Sequence, residues 1–302
     1  MICPSEYTGK LLDGKKLAAE IRGEIKAEAA RLSASGVVPG LAVILVGANP
    51  ASVSYVTAKE KACSETGVKS FPFHLPAETP QDELLAKIDE LNANPDVHGI
   101  LVQLPLPKGI DETAVIRAIA PEKDVDGFHP VNVGKMLLGD DDCFLPCTPH
   151  GIVEILARAG IVTKGAHVVV VGRSNIVGKP VANLLLQKKP HADATVTVCH
   201  TGTKDMASVT KQADILIVAA GRPRTVTADM VKEGAVVVDV GVNRVSDPSK
   251  KCGFHLEGDT DFESLLPKVS RITPVPGGVG PLTITMLLAN TVKSASRAMA
   301  RR

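Results

Sequence analysis

Two sets of residues have types and spacings that could do chemistry. The first lies in VVVVGRSNIVGKP, residues 168–180. Four consecutive Val residues read as a strand buried on both faces, Gly172 ends it, and Gly178 and Pro180 open the helical run PVANLLLQKK. A strand, a tight turn and a helix N-terminus leave backbone N–H groups unpaired, and with the positive end of the helix dipole they form an anion site. The loop has Gly172 and Gly178 with Arg173 and Ser174 between them, so the dinucleotide fingerprint G-x-G-x-x-G is met only in part. An NAD-preferring fold carries an acid about 20 residues on, for the ribose 2′-OH. The next strand, 194–198, instead runs into Cys199-His200-Thr201. Arg173, His200 and Thr201 without a carboxylate suit a 2′-phosphate, which points to NADP; the competing reading is a surface Arg on an α/β loop.

The second set lies on a predicted helix, 51–66, which follows the buried strand 41–47 and has Asn49 as N-cap with Pro50 in its first turn. Ser52, Tyr55 and Lys59 are spaced to share one face, with Val53, Val56 and Cys63 expected toward another. That face follows the C-terminal end of a strand, where α/β ligands bind. Lys59 equally fits a solvated face with Glu60, Lys61 and Glu65. Gln103 ends the apolar run 98–107 and must either find a partner in the core or face a ligand. Asp124 and Asp126 beside Gly127 suit either a turn or a carboxylate that accepts hydrogen bonds from a ligand.

The elements that must position these residues alternate. Helices are expected at 11–32, 81–92, 115–119, 152–159 and 283–299, the last with Ile284, Leu287, Leu288 and Val292 inward. Further strands are expected at 71–75, 213–219 and 235–240, with a short strand or loop at 256–261. The pattern is that of an α/β protein built on doubly wound parallel sheets. The Pro-rich stretch 144–151 reads as irregular and as a domain boundary. It separates an α/β domain over 1–147 from a Rossmann-type domain over 148–282. The stretch 272–283, ITPVPGGVGPLT, reads as an irregular loop with bare backbone against which a flat ligand could lie. The closing helix within 283–302 is expected to pack back on the first domain.

Bulk numbers narrow the function. The chain has 302 residues, net charge +1, 44% hydrophobic residues, 3% aromatics and no Trp. A near-neutral chain gives no electrostatic case for nucleic acid or a membrane surface. No apolar run approaches the roughly 20 residues that span a bilayer, and MICPSEYTGK at the start does not read as a targeting segment. Cys3, Cys63, Cys143, Cys147, Cys199 and Cys252 lack zinc-site spacing, so no metal is expected and the thiols read as small buried groups in a reducing cytosol.

Six stretches together resemble the bifunctional methylenetetrahydrofolate dehydrogenase/methenyltetrahydrofolate cyclohydrolase family: YVTAK (55–59), GILVQLPLP (99–107), PEKDVDGFHPVNVGKML (121–137), PCTPHG (146–151), VVGRSNIVGKP (170–180) and PVPGGVGPLT (274–283). The resemblance implies two domains with an interdomain cleft, and two reactions of one-carbon metabolism. NADP⁺ takes a hydride from 5,10-methylenetetrahydrofolate, and water opens the methenyl cation to 10-formyltetrahydrofolate. It implies Lys59 as the base of the second step, Tyr55 stacked along the folate, Gln103 tuning Lys59, Asp126 holding the pterin and Ser52 in support. Val102, Leu104, Pro276, Gly277, Gly278, Val279 and Gly280 would line the folate site. Gly172, Arg173, Ser174, Gly178, His200, Thr201 and Val242 would hold the cofactor. The family is usually a homodimer paired through its cofactor domain, in the cytoplasm. Thr201 stands where the family often has Ser, residues 245–255 form an uncommon polar insert, and a fused formyltetrahydrofolate ligase is expected to be absent.

Overall fold

The computed structural model describes residues 5–250 and 253–301. Cys3, Cys252 and the first four residues of MICPSEYTGK lie outside the described residues. In chain order the elements are α1 (Gly14–Ala34), β1 (Gly40–Val46), α2 (Pro50–Thr66), β2 (Lys69–Leu75), α3 (Gln81–Ala93), β3 (Gly99–Val102), α4 (Glu112–Ala118), α5 (Pro130–Leu138), α6 (Cys147–Arg158), β4 (His167–Val171), α7 (Gly178–Leu186), β5 (Thr195–Cys199), α8 (Met206–Thr210), β6 (Ile215–Val218), β7 (Val236–Asp239), β8 (Asn243–Ser246), β9 (Phe254–Glu257), α9 (Phe262–Leu265), β10 (Arg271–Ile272) and α10 (Val279–Ala300).

Contacts divide the chain into two compact units, one drawn from Ala19–Cys147 and Ile284–Arg302, the other from Met1–Ala18 and Thr148–Thr283. All three boundaries fall within a helix: inside α1, at the start of α6 and inside α10.

The unit containing Ala19–Cys147 is built on a parallel sheet of order β2-β1-β3. Every residue of β1 and β3 is buried, as their continuous apolar sequence requires of strands covered on both faces. Leu84, Ile88 and Leu91 of α3 pack with Ala42, Ile44, Ile100 and Val115 to form one core. In the other unit the sheet order is β10-β7-β6-β4-β5, all parallel, and the order reverses at β4. The loop after β4 therefore stands at the switch point where ligands of such sheets bind.

Three expectations are corrected. Stretch 144–151 is not irregular throughout, because α6 begins at Cys147; nor is 272–283, because α10 begins at Val279. Pro149 and Pro281 both fall in the first turn of a helix, where a missing N–H costs nothing. The run after Pro180 ends at Leu186, not at Lys189, as Gln187 turns extended ahead of Pro190. The short helix α5 was not separated out of 121–138 by sequence pattern, and the polar insert begins in β8 and ends in β9, which pair antiparallel.

Core packing gives a direct test. Ile88→Ala removes a side chain with no solvent exposure and is expected to cost about 2–5 kcal/mol, whereas Leu138→Ala, at 86% exposure, is expected to stay within about 0.5 kcal/mol. Urea unfolding followed by circular dichroism compares the two.

Candidate functional site

Lys59 stands on α2, and the pattern of burial along that helix decides between its two sequence readings. Ser52, Val56, Lys59, Cys63 and Thr66 form one buried stripe, while Val53, Glu65 and Lys61 face solvent. Lys59 is 8% exposed, so it is not part of a solvated charged face. The expected separation of Ser52 and Lys59 from Val56 and Cys63 is corrected: all four share the inner stripe, because i, i+4, i+7 and i+11 fall within one narrow arc. Tyr55 lies at the edge of that arc and is 47% exposed, presenting its ring to solvent one turn before Lys59. Asn49 caps the helix by accepting a hydrogen bond from the Ser52 amide at 3.3 Å.

The ammonium position meets the end of β3. Lys59 Nζ donates to Gln103 Oε1 at 2.7 Å, and Gln103 Nε2 donates to the Leu104 carbonyl at 2.7 Å. The second bond fixes which end of the amide faces Lys59. Gln103 N donates to Ile44 O at 2.8 Å, so the residue continues the β1–β3 ladder one position past the strand. Of the two roles the sequence left open, Gln103 has the first, a partner within the fold: its oxygen accepts from the titratable amine of Lys59. Burial pushes the Lys59 pKa down, partly opposed by the nearby Asp126 charge.

Asp124 and Asp126 separate into two jobs. Asp124 is buried; its oxygens accept from the Phe128 and His129 amides at 3.2 and 2.8 Å and from Asn132 Nδ2 at 2.8 Å. That carboxylate is consumed by the turn and by the start of α5. Asp126 is half-buried and faces Lys59 and the Cys147 thiol, with no backbone donor among the described residues. The Cys147 thiol takes up part of its acceptor capacity and the rest remains open. Burial raises its pKa, against the Lys59 charge. Between the two acids, Val125 is fully buried against Gly99, where a Cβ would meet it at 2.8 Å. Cys147 is buried, and its Sγ reaches Val125 O at 3.3 Å. Sequence reasoning missed Cys147; the PCTPHG stretch quoted for the resemblance was its available signal. Val102 is buried and Leu104 half-buried beside Gln103.

The remaining residues expected to line the folate site belong to the other unit. Gly277 adopts φ +114°, and its carbonyl accepts from Lys15 N at 3.1 Å. A Cβ on Gly14 would stand 1.7 Å from Gly278 O. Gly277, Gly278 and Val279 are therefore buried, partly under the start of α1, while Pro276 and Gly280 are exposed. The backbone here is less bare than the sequence suggests.

The loop after β4 has the close packing its glycines predict. Gly172 has φ +121°, and a Cβ there would lie 2.1 Å from Ala219 O; a Cβ on Gly178 would lie 2.2 Å from Gly172 O. Ser174 Oγ accepts from the Val177 and Gly178 amides at 3.2 and 3.3 Å, so these two donors at the start of α7 are capped from within the loop. Arg173 is exposed, and its guanidinium has no partner among the described residues. At the end of β5, His200 Nδ1 accepts from Gly202 N at 3.0 Å and His200 N donates to Thr203 Oγ1 at 3.0 Å, leaving Thr201 exposed. Val242 is exposed just past β7. Among the described residues, no group of His, Cys, Asp and Glu could hold a metal ion, and no helix is long and apolar enough to cross a membrane.

Comparison with known proteins adds a second line of observation. A family model described as tetrahydrofolate dehydrogenase/cyclohydrolase, catalytic domain, matches residues 12–126, and one described as tetrahydrofolate dehydrogenase/cyclohydrolase, NAD(P)-binding domain, matches residues 146–299. The bifunctional protein FolD of Prosthecochloris aestuarii is 59% identical over 95% of this chain and 98% of its own. Among solved structures, the bifunctional methylenetetrahydrofolate dehydrogenase/cyclohydrolase FolD of Campylobacter jejuni is 53% identical with a TM-score of 0.90, covering 95% of this chain and 98% of its own. The Trypanosoma brucei enzyme, solved with NADP and an inhibitor, is 41% identical with a TM-score of 0.91, covering 96% and 98%.

Two measurements follow from this geometry. Gly172→Ala forces a Cβ onto Ala219 O at a positive φ, so it is expected to weaken nicotinamide dinucleotide binding by about tenfold or more in fluorescence titration. Burial pushes Asp124 up to about 7 from its ordinary 3.8. A carboxyl raised in the fold favours the protonated form, so its contribution to stability is full below about 4 and is lost as pH rises through about 7. Relative to Asp124→Asn, the native chain is expected to lose stability across that window and run parallel above it, as read from urea midpoints against pH.

Proposed function

We infer residue roles from the premise that this chain belongs to the tetrahydrofolate dehydrogenase/cyclohydrolase family. It is a bifunctional enzyme that oxidises 5,10-methylenetetrahydrofolate and hydrolyses the 5,10-methenyl product, and it carries an NAD(P)-binding domain. The observation that carries the assignment of roles is the buried Lys59 amine bonded to a neutral amide.

Hydride loss from the methylene carbon leaves a cation delocalised over N5 and N10, so the oxidation needs positioning more than a strong base. NADP⁺, when bound, supplies the hydride acceptor. Asp126 accepts hydrogen bonds from the donor-rich pterin edge, and Tyr55 offers its exposed ring as a stacking face. Ser52, Val102 and Leu104 shape the wall around Lys59, and Pro276 to Gly280 are the residues of the other unit assigned to the folate.

Hydrolysis needs water to lose a proton as its oxygen attacks the methenyl carbon. Neutral Lys59 takes that proton on its lone pair while one of its N–H bonds stays on Gln103 Oε1. The resulting ammonium returns the proton to N5; as the hydroxyl on the carbon releases its proton to solvent, the C–N5 bond breaks, and the carbon remains on N10 as a formyl group. Gln103 suits this cycle because a neutral acceptor orients the amine without the full charge that would hold the proton there.

Several features favour NADP over NAD. Arg173 is exposed and unpaired among the described residues, β5 runs into Cys199-His200-Thr201 with no carboxylate there, and Thr201 offers a hydroxyl. Gly172, Ser174, Gly178, His200 and Val242 complete the set assigned to the cofactor. Pairing of two copies through β5 fits its place at the sheet edge, with Val198 exposed. The buried free thiols Cys63, Cys143, Cys147 and Cys199 fit a reducing cytoplasm.

The test is a two-channel absorbance assay on methylenetetrahydrofolate. Lys59→Ala is expected to keep reduction of NADP⁺ within about tenfold while methenyl hydrolysis falls by about 10²–10⁴-fold; unchanged hydrolysis overturns the role of Lys59. In the native chain, hydrolysis is expected to rise with pH as Lys59 deprotonates, below the ordinary 10.5 of a lysine. Arg173→Ala is expected to raise KM for NADP⁺ and leave KM for NAD⁺ unchanged.

A further inference from the structure

Helix α10 is amphipathic in an unusual sense: four of its side chains donate to main-chain carbonyls of two loop segments. Ser294 Oγ donates to Glu122 O at 2.8 Å. Lys293 Nζ donates to Asp141 O and Cys143 O at 3.2 and 2.9 Å, and Arg297 also reaches Asp141 O, at 3.3 Å. Asn290 is the rung nearest the site. Its Nδ2 donates to Val125 O at 2.8 Å and to Leu145 O at 3.0 Å, and lies 3.8 Å from Cys147 Sγ.

The position of that rung matters. Val125 immediately precedes Asp126, and Gly127 immediately follows it; a Cβ on Gly127 would lie 2.6 Å from both Leu145 C and Pro146 N. The chain on one side of Asp126 is thus bonded to Asn290, and the chain on the other side packs on the segment that Asn290 also bonds. Asn290 is 3% exposed, so its amide makes these bonds out of water, and without it Val125 O keeps only the Cys147 thiol as donor.

We propose that Asn290 is a positioning residue for Asp126, its amide tying together the Val125 and Leu145 segments that hold this carboxylate in place for the folate. The inference rests on the reading above that Asp126 binds the pterin. The groups that face Asp126 are Lys59 and Cys147, with Asp124 nearby, and those that face Lys59 are Gln103, Asp126, Cys63 and Cys147.

Steady-state kinetics and pH profiles of the full chain test it. Asn290→Ala is expected to raise KM for methylenetetrahydrofolate about tenfold, as loss of one buried bonded donor would. The acid limb of the hydrolysis profile is also expected to move to lower pH, because a displaced Asp126 no longer raises the Lys59 pKa. Ser294→Ala, which removes a like bond to the same segment farther from Asp126, is expected to leave KM and the profile unchanged. Asn290→Ser retains one donor and is expected to recover part of the affinity; it also serves as the reading variant if Asn290→Ala does not fold. In an Asp126→Ala background, Asn290→Ala is expected to change KM no further. A folded Asn290 variant with native KM and profile, or one whose effect persists undiminished without Asp126, overturns the inference alone. Native KM in Asp126→Ala overturns the role of Asp126, and this inference with it.

Discussion

A lysine amine held out of water opposite a neutral amide is the constraint on which the catalytic domain turns. Removing a charged ammonium from water costs several kcal/mol unless a counter-charge or a full set of acceptors repays it. Lys59 has neither in full: one hydrogen bond to Gln103, and an Asp126 charge acting across space. The cost is relieved by releasing the proton, so burial and chemistry point the same way. Had a Glu stood at 103, the pair would close as a salt bridge and the amine would stay charged.

The rest of the unit serves that contact. β1 and β3 are adjacent and parallel, so α2 springs from one strand end and Gln103 from the neighbouring one. Buried strands fix both ends, and the Gln103 amide remains in the ladder through its N–H to Ile44. Asp124 spends its acceptors on the turn, whereas Asp126, two residues on, meets only the Cys147 thiol among the described residues and keeps further acceptor capacity. One turn therefore carries an acid that builds it and an acid that it presents.

Much of this was legible in the sequence. Continuous apolar runs marked β1, β3, β4, β6 and β7, since a strand buried on both faces has no polar side to disguise it. The glycines at 172 and 178 marked a tight turn after β4, and a Cβ on Gly178 would lie 2.2 Å from Gly172 O. What spacing alone did not resolve was Lys59. Its neighbours Glu60, Lys61 and Glu65 look solvated, and periodicity cannot say which side of a helix meets the sheet when a lysine and a cysteine share a stripe. The family resemblance supplied that answer, and burial supplies the physical reason. The starts of α6 and α10 were hidden by Pro149 and Pro281, residues that forbid a helix interior yet suit its first turn. The ladder of donors on α10 was out of reach, because its acceptors are carbonyls, which every residue carries.

The most direct test of the account is the ionisation of Lys59 itself, followed by NMR of carbon-labelled lysine Cε across pH, with the resonance assigned by its loss in Lys59→Arg. A midpoint clearly below the ordinary 10.5 of a lysine, moving lower still when Asp126 is replaced by Asn, is the predicted result. A midpoint at or above 10.5 would mean that the amine stays charged at neutral pH, and would contradict its role as the base that activates water.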